Sequence, residues 1–166
     1  LKKVDVTVRA LAKSFPKKNF CFDIIGGGAE YSNLVNLAKS LGIEKQVKFY
    51  GKVQRNIAQD IMAKADCFIM VSSHEAFGLV YLEAMGKGLI PIGTKGQGID
   101  GVIINGENGF LCPSDDVDAL SNIINKICSL DSNQRQNISD KAIQTAESLT
   151  DIKAAQLYIN ALESVI

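Results

Sequence analysis

The chain has 166 residues, 46% hydrophobic and 22% charged, which suits one globular domain with its own core. Its 18 basic and 18 acidic residues cancel, so no domain-wide field draws it to nucleic acid or to an anionic lipid surface. The four cysteines (Cys21, Cys67, Cys112 and Cys128) lack CxxC spacing, which argues against a disulfide framework or zinc site and for a reducing cytosol.

Leu1-Lys2-Lys3 runs straight into a helical pattern with no initiator Met, which reads as an excised domain. No signal peptide opens the chain, and no apolar run approaches the ~18 residues of a membrane span. Val4, Val6, Val8, Leu11, Ala12 and Phe15 predict a first helix, closed by Pro16. Phe20 to Ile25 reads as a buried strand ending in Gly26-Gly27-Gly28, and residues 29–41 as an amphipathic helix with Gly42 placed to cap it. A second strand is expected over residues 47–50, a turn at Gly51-Lys52-Val53, and a short helix over residues 57–65. Cys67 to Val71 has the length and composition of a buried strand, and there, as at Cys21, the thiol behaves as a small hydrophobe.

Ser72, Ser73 and His74 break that pattern, and a helix is expected to begin near Phe77 or Gly78. Leu89 to Ile92 is a further strand, whose Pro91 suits a position near an end or at a sheet edge. Four glycines between Gly93 and Gly101 signal a loop folded closely around something. A short strand at Phe110-Leu111 precedes Pro113; residues 115–130 and 133–148 read as helices, and Thr150 or Asp151 would cap a last one ending near Ile166.

Strands alternating with helices specify right-handed βαβ units and a parallel, doubly wound α/β sheet of Rossmann type. Ligands then bind at the carboxyl ends of the strands. Gly26, Gly51, Glu75 and Gly93 all follow strands directly, so four loops should converge on one crevice. Gly26 and Gly28 begin a dinucleotide-binding fingerprint, but Tyr31 stands where its third glycine belongs and no acidic residue ends the next strand. They read equally as a plain strand-to-helix turn.

The helix after Gly78 is apolar on most sides through Leu79, Val80, Leu82, Ala84 and Met85, yet it carries Glu83, eight residues after Glu75. A carboxylate on a mostly buried helix is costly unless something hydrogen-bonds to it. Gly78 lets a ligand approach the backbone where N–H groups and the positive helix end point outward. Two carboxylates bracketing that point suit a ligand with both phosphates and hydroxyls, such as a nucleotide-sugar. The alternatives are a solvated or capping role for Glu75 and an exposed helical position for Glu83. His74 reads as a loop residue beside the site rather than a general base, and Lys95 as a surface lysine.

Glu75-Ala76-Phe77-Gly78-Leu79-Val80-Tyr81-Leu82-Glu83 resembles the E-x7-E motif, usually E-G-F-G-L-x-x-x-E, of the group 1 (family 4) retaining glycosyltransferases of GT-B fold. The preceding strand, the following Glu83-Ala84-Met85 and the Asn105-to-Leu111 turn match as well, and the likeness runs from Val4 to about Leu130. The resemblance implies the C-terminal, donor-binding half of such an enzyme, acting in glycan or polysaccharide biosynthesis. It makes Glu75 the catalytic-site group that holds donor-sugar hydroxyls and Glu83 the acceptor for ribose hydroxyls. Ala76, Phe77, Gly78 and Leu79 would act through backbone N–H groups, and Val53 would meet the nucleobase through its main chain. Gly26 and Gly28 would let the chain pass close to the donor. Lys2 aligns with the lysine of the family's R-L-x-x-x-K, although Lys3 stands where glycine is common; at a chain end Lys2 is expected to fray.

No metal or separate cofactor is implied, and a UDP-sugar is favoured as donor. The implied partners are that donor and an N-terminal acceptor domain of the same full-length protein, through which any peripheral membrane contact would run, and no nucleic acid. The expected location is the cytoplasm, free or at the inner face of the membrane. Two other classes stay open: a nucleotide-sugar epimerase of similar architecture, which would need its own catalytic acids, and a non-catalytic module, which would not require both Glu75 and Glu83.

Overall fold

The structure, a computed structural model, describes residues 2–76 and 78–149. The order is α1 (Val4–Ser14), β1 (Phe22–Ile25), α2 (Tyr31–Ser40), β2 (Val47–Gly51), α3 (Arg55–Met62), β3 (Cys67–Ile69), α4 (Leu79–Met85), β4 (Ile90–Thr94), β5 (Phe110–Cys112), α5 (Val117–Ser129) and α6 (Ser132–Ser148). All paired strands run parallel, as the alternation of strands and helices requires. The α/β, Rossmann-like class holds. The helix expected after Thr150 lies outside the described residues.

The expected single sheet is instead two pieces: β1 pairs with β2, and β4 lies between β3 and β5. The β1 and β3 edges do not pair with each other. Burial follows: β4, flanked on both sides, is buried throughout, whereas no residue of β1 or β3 is fully buried.

Helix α1 joins the halves. Its Val6, Ala10 and Leu11 enter the core made with Val71, Ile90, Ile92, Phe110 and Leu120. Its Val8 turns into a second core with Ala38, Ile43 and Val47. The α1 axis is further pinned to the α5 region by Lys3–Asp115 and Lys13–Asp118 ion pairs at 2.6 and 2.7 Å.

Two details differ from the sequence reading. Pro91 is the second residue of β4, near the strand's end as expected, but that strand is the central one and not an edge. Ile90 and Ile92 bond to the β3 side, through Asp66 O and Met70 N, so Pro91 faces β5, whose ladder starts only at Ile92. The missing N–H therefore interrupts nothing, and Gly109 makes the approach possible, since a Cβ there would stand 2.6 Å from Pro91 Cγ. Cys21 is exposed rather than packed inward, because β1 begins only at Phe22.

Candidate functional site

The loop from β3 to α4 is held from below. Tyr81, 1% exposed, donates its hydroxyl to the Met70 carbonyl, and its ring meets Phe68 edge-on at 5.3 Å. Burial, reinforced by the Glu75 carboxylate, pushes the Tyr81 hydroxyl well above the usual phenol range, so it remains a donor. Gly78 adopts φ 75° directly above. A Cβ there would come within 2.8 Å of the Tyr81 ring and 3.2 Å of Glu75 Cγ. Only glycine satisfies both the left-handed backbone and that contact.

Glu75 is fixed through its own main chain. Its N–H donates to Gln97 Oε1 at 3.0 Å, and its carbonyl accepts from Gly98 N at 3.2 Å. The glycine-rich loop thus closes around Glu75. Gly93, by contrast, is tight against the protein itself: a Cβ would stand 2.8 Å from Ile99. The Glu75 side chain, 17% exposed, pairs with the Lys2 ammonium. Lys2 is therefore held against Glu75 rather than frayed, because Lys3 and α1 are anchored to α5 and its approach.

Glu83, on α4, has its side chain 32% exposed. Arg55 Nη2 donates to Oε1 at 2.6 Å and Gln59 Nε2 to Oε2 at 2.9 Å, both from α3. These donors remove the cost of a carboxylate on an otherwise apolar helix. Val53 is half-buried, just before the α3 N-cap at Gln54.

Gly26 N donates to Gly51 O at 2.7 Å, which joins the ends of β1 and β2. Gly26 needs its φ of 122°, while Gly28 has neither a positive φ nor any atom within 4 Å of an added Cβ. Ala76 avoids positive φ, which among described non-glycine residues belongs only to Lys3 and Lys18. Phe77 lies outside the described residues. Leu79 corrects the apolar reading of α4: it is 69% exposed, because it opens the helix while Tyr81, Ala84 and Met85 face the core. His74 is an exposed loop residue.

The structure thus joins Lys2 to Glu75, Glu83 to α3, and Gly26 to Gly51. Arg55, Gln59, Gln97 and Tyr81 are the site residues that sequence reasoning missed. Arg55 and Gln59 were accessible in principle, being four apart and so on one helix face just beyond Val53. A helix begun at Ile57, its first apolar residue, leaves Arg55 outside it, whereas α3 starts at Arg55.

The family model for Glycosyl transferases group 1 matches residues 1–145. The chain is 38% identical over 121 residues to N-acetyl-alpha-D-glucosaminyl L-malate synthase of Bacillus anthracis, covering 73% of this chain and 31% of that protein. It is 30% identical over 134 residues to the lipopolysaccharide core biosynthesis glycosyltransferase LpsE of Rhizobium meliloti, covering 77% of this chain and 38% of that one. It therefore spans well under half the length of these curated relatives. Among solved structures, Anabaena HepE in complex with UDP superposes with a TM-score of 0.84 at 27% identity, over 99% of this chain and 46% of that chain. The pneumococcal O-GlcNAc transferase GtfA in complex with UDP and GlcNAc does so with a TM-score of 0.83 at 25% identity, over 99% and 33%.

Proposed function

Because the chain belongs to the group 1 glycosyl transferases, we propose that it is the donor-binding half of a retaining GT-B enzyme that transfers a sugar from a nucleoside diphosphate sugar to an acceptor during glycan biosynthesis. The observation that carries this reading is the pair of carboxylates set on either side of Gly78. Glu75 is fixed by Gln97 and Gly98, and Glu83 by Arg55 and Gln59. An acceptor-only carboxylate can take two adjacent hydroxyls at once. Glu83 would hold the ribose in that way, and Glu75 the donor sugar. Val53 would meet the base through its main chain, and Gly26 and Gly28 would leave room for the donor.

Departure of the nucleoside diphosphate builds negative charge on its phosphates. The Lys2 ammonium, already beside Glu75, would counter that charge together with backbone N–H groups from Ala76 to Leu79. Donors fixed in advance do not have to reorganise as the bond breaks. This assigns the diphosphate to lysine and backbone rather than to a metal. The acceptor would enter from an N-terminal domain of the full-length protein. UDP is the favoured nucleotide, supported by the UDP in the HepE and GtfA complexes.

Calorimetric titration of UDP and GDP into the full-length protein tests the reading. Saturable binding of one nucleotide, weakened in Glu83→Ala, is expected. Equal, non-saturating heats for both in the wild type would overturn it.

A further inference from the structure

We infer that Arg55 and Gln59 of α3 are positioning residues that set the Glu83 carboxylate for ribose and so make this site selective for ribonucleotides; this rests on the reading that Glu83 binds ribose. Arg55 Nη2 reaches Oε1 at 2.6 Å and Gln59 Nε2 reaches Oε2 at 2.9 Å. Each carboxylate oxygen thus takes one protein donor. An ionised carboxylate has about four lone-pair sites, so one on each oxygen remains for the 2′ and 3′ hydroxyls. Bonds to both oxygens fix the plane of the group as well as its place, which one contact would not do. The hydroxyls then meet an acceptor already oriented, without first ordering a flexible side chain.

A purely stabilising ion pair explains the arrangement less well. The Arg55 side chain is 82% exposed and that of Glu83 32% exposed, and pairs so open to water contribute little to stability. Arg55 also stands two residues beyond Val53, the residue assigned to the base. The helix that follows the base contact therefore delivers the groups that orient the ribose contact.

The test uses the full-length protein with two probes, UDP and 2′,3′-dideoxy-UDP, and compares their dissociation constants. The wild type should prefer UDP, and Glu83→Ala should abolish the preference. Arg55→Gln and Gln59→Ala should each reduce the preference by about three- to tenfold, the range for a partly exposed bond to a charged group, while dideoxy-UDP binds as before. Combined with Glu83→Ala, neither should cost anything further. A wild type indifferent to the hydroxyls, or Glu83→Ala that keeps the preference, overturns the ribose reading. If Glu83→Ala loses the preference but both α3 variants retain it, or weaken the two probes equally, the positioning role is wrong.

Discussion

Glu75 and Glu83 would face different parts of the proposed donor, and their substitutions should separate accordingly. Ribose belongs equally to substrate, transition state and released nucleotide. Glu83→Ala should therefore weaken nucleotide and donor together by roughly 1.5–3 kcal/mol, the scale of a hydrogen bond to a charge, and appear mainly in KM. Glu75 would touch the sugar, whose charge and shape change as the glycosidic bond breaks. Glu75→Gln should keep nucleotide affinity and lower kcat instead. Calorimetry beside steady-state kinetics separates the two, and a shared pattern would refute the division. Leu79→Ala should shift stability by no more than about 0.5 kcal/mol, because its side chain is 69% exposed and leaves no cavity. Glu83 stood out in the sequence because a carboxylate is conspicuous on an apolar helix, and Glu75 and Gly78 because they stand in the strand-to-helix loop just before it. Arg55 and Gln97 did not, because a polar residue on a polar face or loop carries no mark of the partner it will meet.

At the scale of elements, local pattern and breakers place α1, α2, α5 and α6 to within two residues, although α2 buries only Ala38 and α6 only Ile138 and Ala142. Pro91 stands near the end of its strand as expected, but in the central strand: whether its missing N–H matters there depends on where β5 starts, which is a matter of register. The turn between β4 and β5 depends on Asn108, 5% exposed. Its Oδ1 accepts from Ile104 N at 2.7 Å, and its Nδ2 donates to Val102 O and Thr145 Oγ1, both at 2.9 Å. Asn108→Ala strands these groups and should cost about 2–3 kcal/mol in chemical denaturation, with nucleotide binding retained in the folded fraction.

The strand thiols predict a pH dependence. Burial pushes Cys67, at the start of β3, up to about 12, and Cys112, at the end of β5, up to about 11, from 9.0. Between those values the unfolded chain has lost protons that the folded chain keeps, so stability present below pH 9 is lost as pH rises toward 11–12. Urea midpoints should fall over this range, and fall less steeply in the Cys67→Ala/Cys112→Ala double variant. Equal slopes would contradict the assignment.

Over the whole molecule, the parallel pairing of the strands followed from the order of elements alone. The break between β1 and β3 did not, because pairing partners are long-range and local pattern is silent about them. Helix α1 carries the connection, with Val8 in one core and Val6, Ala10 and Leu11 in the other. On the proposed reading the 166 residues alone should show no appreciable sugar transfer, since the acceptor would enter from another domain. Turnover that scales with purified protein and disappears in Glu75→Gln would overturn this. The central claim is the crevice of Val53, Glu75 and Glu83 as a nucleotide site, and backbone amide shift mapping with UDP tests it most directly. The largest changes should fall on Val53, Arg55, Glu75, Gly78 and Glu83; changes confined to α5 and α6 would contradict the account.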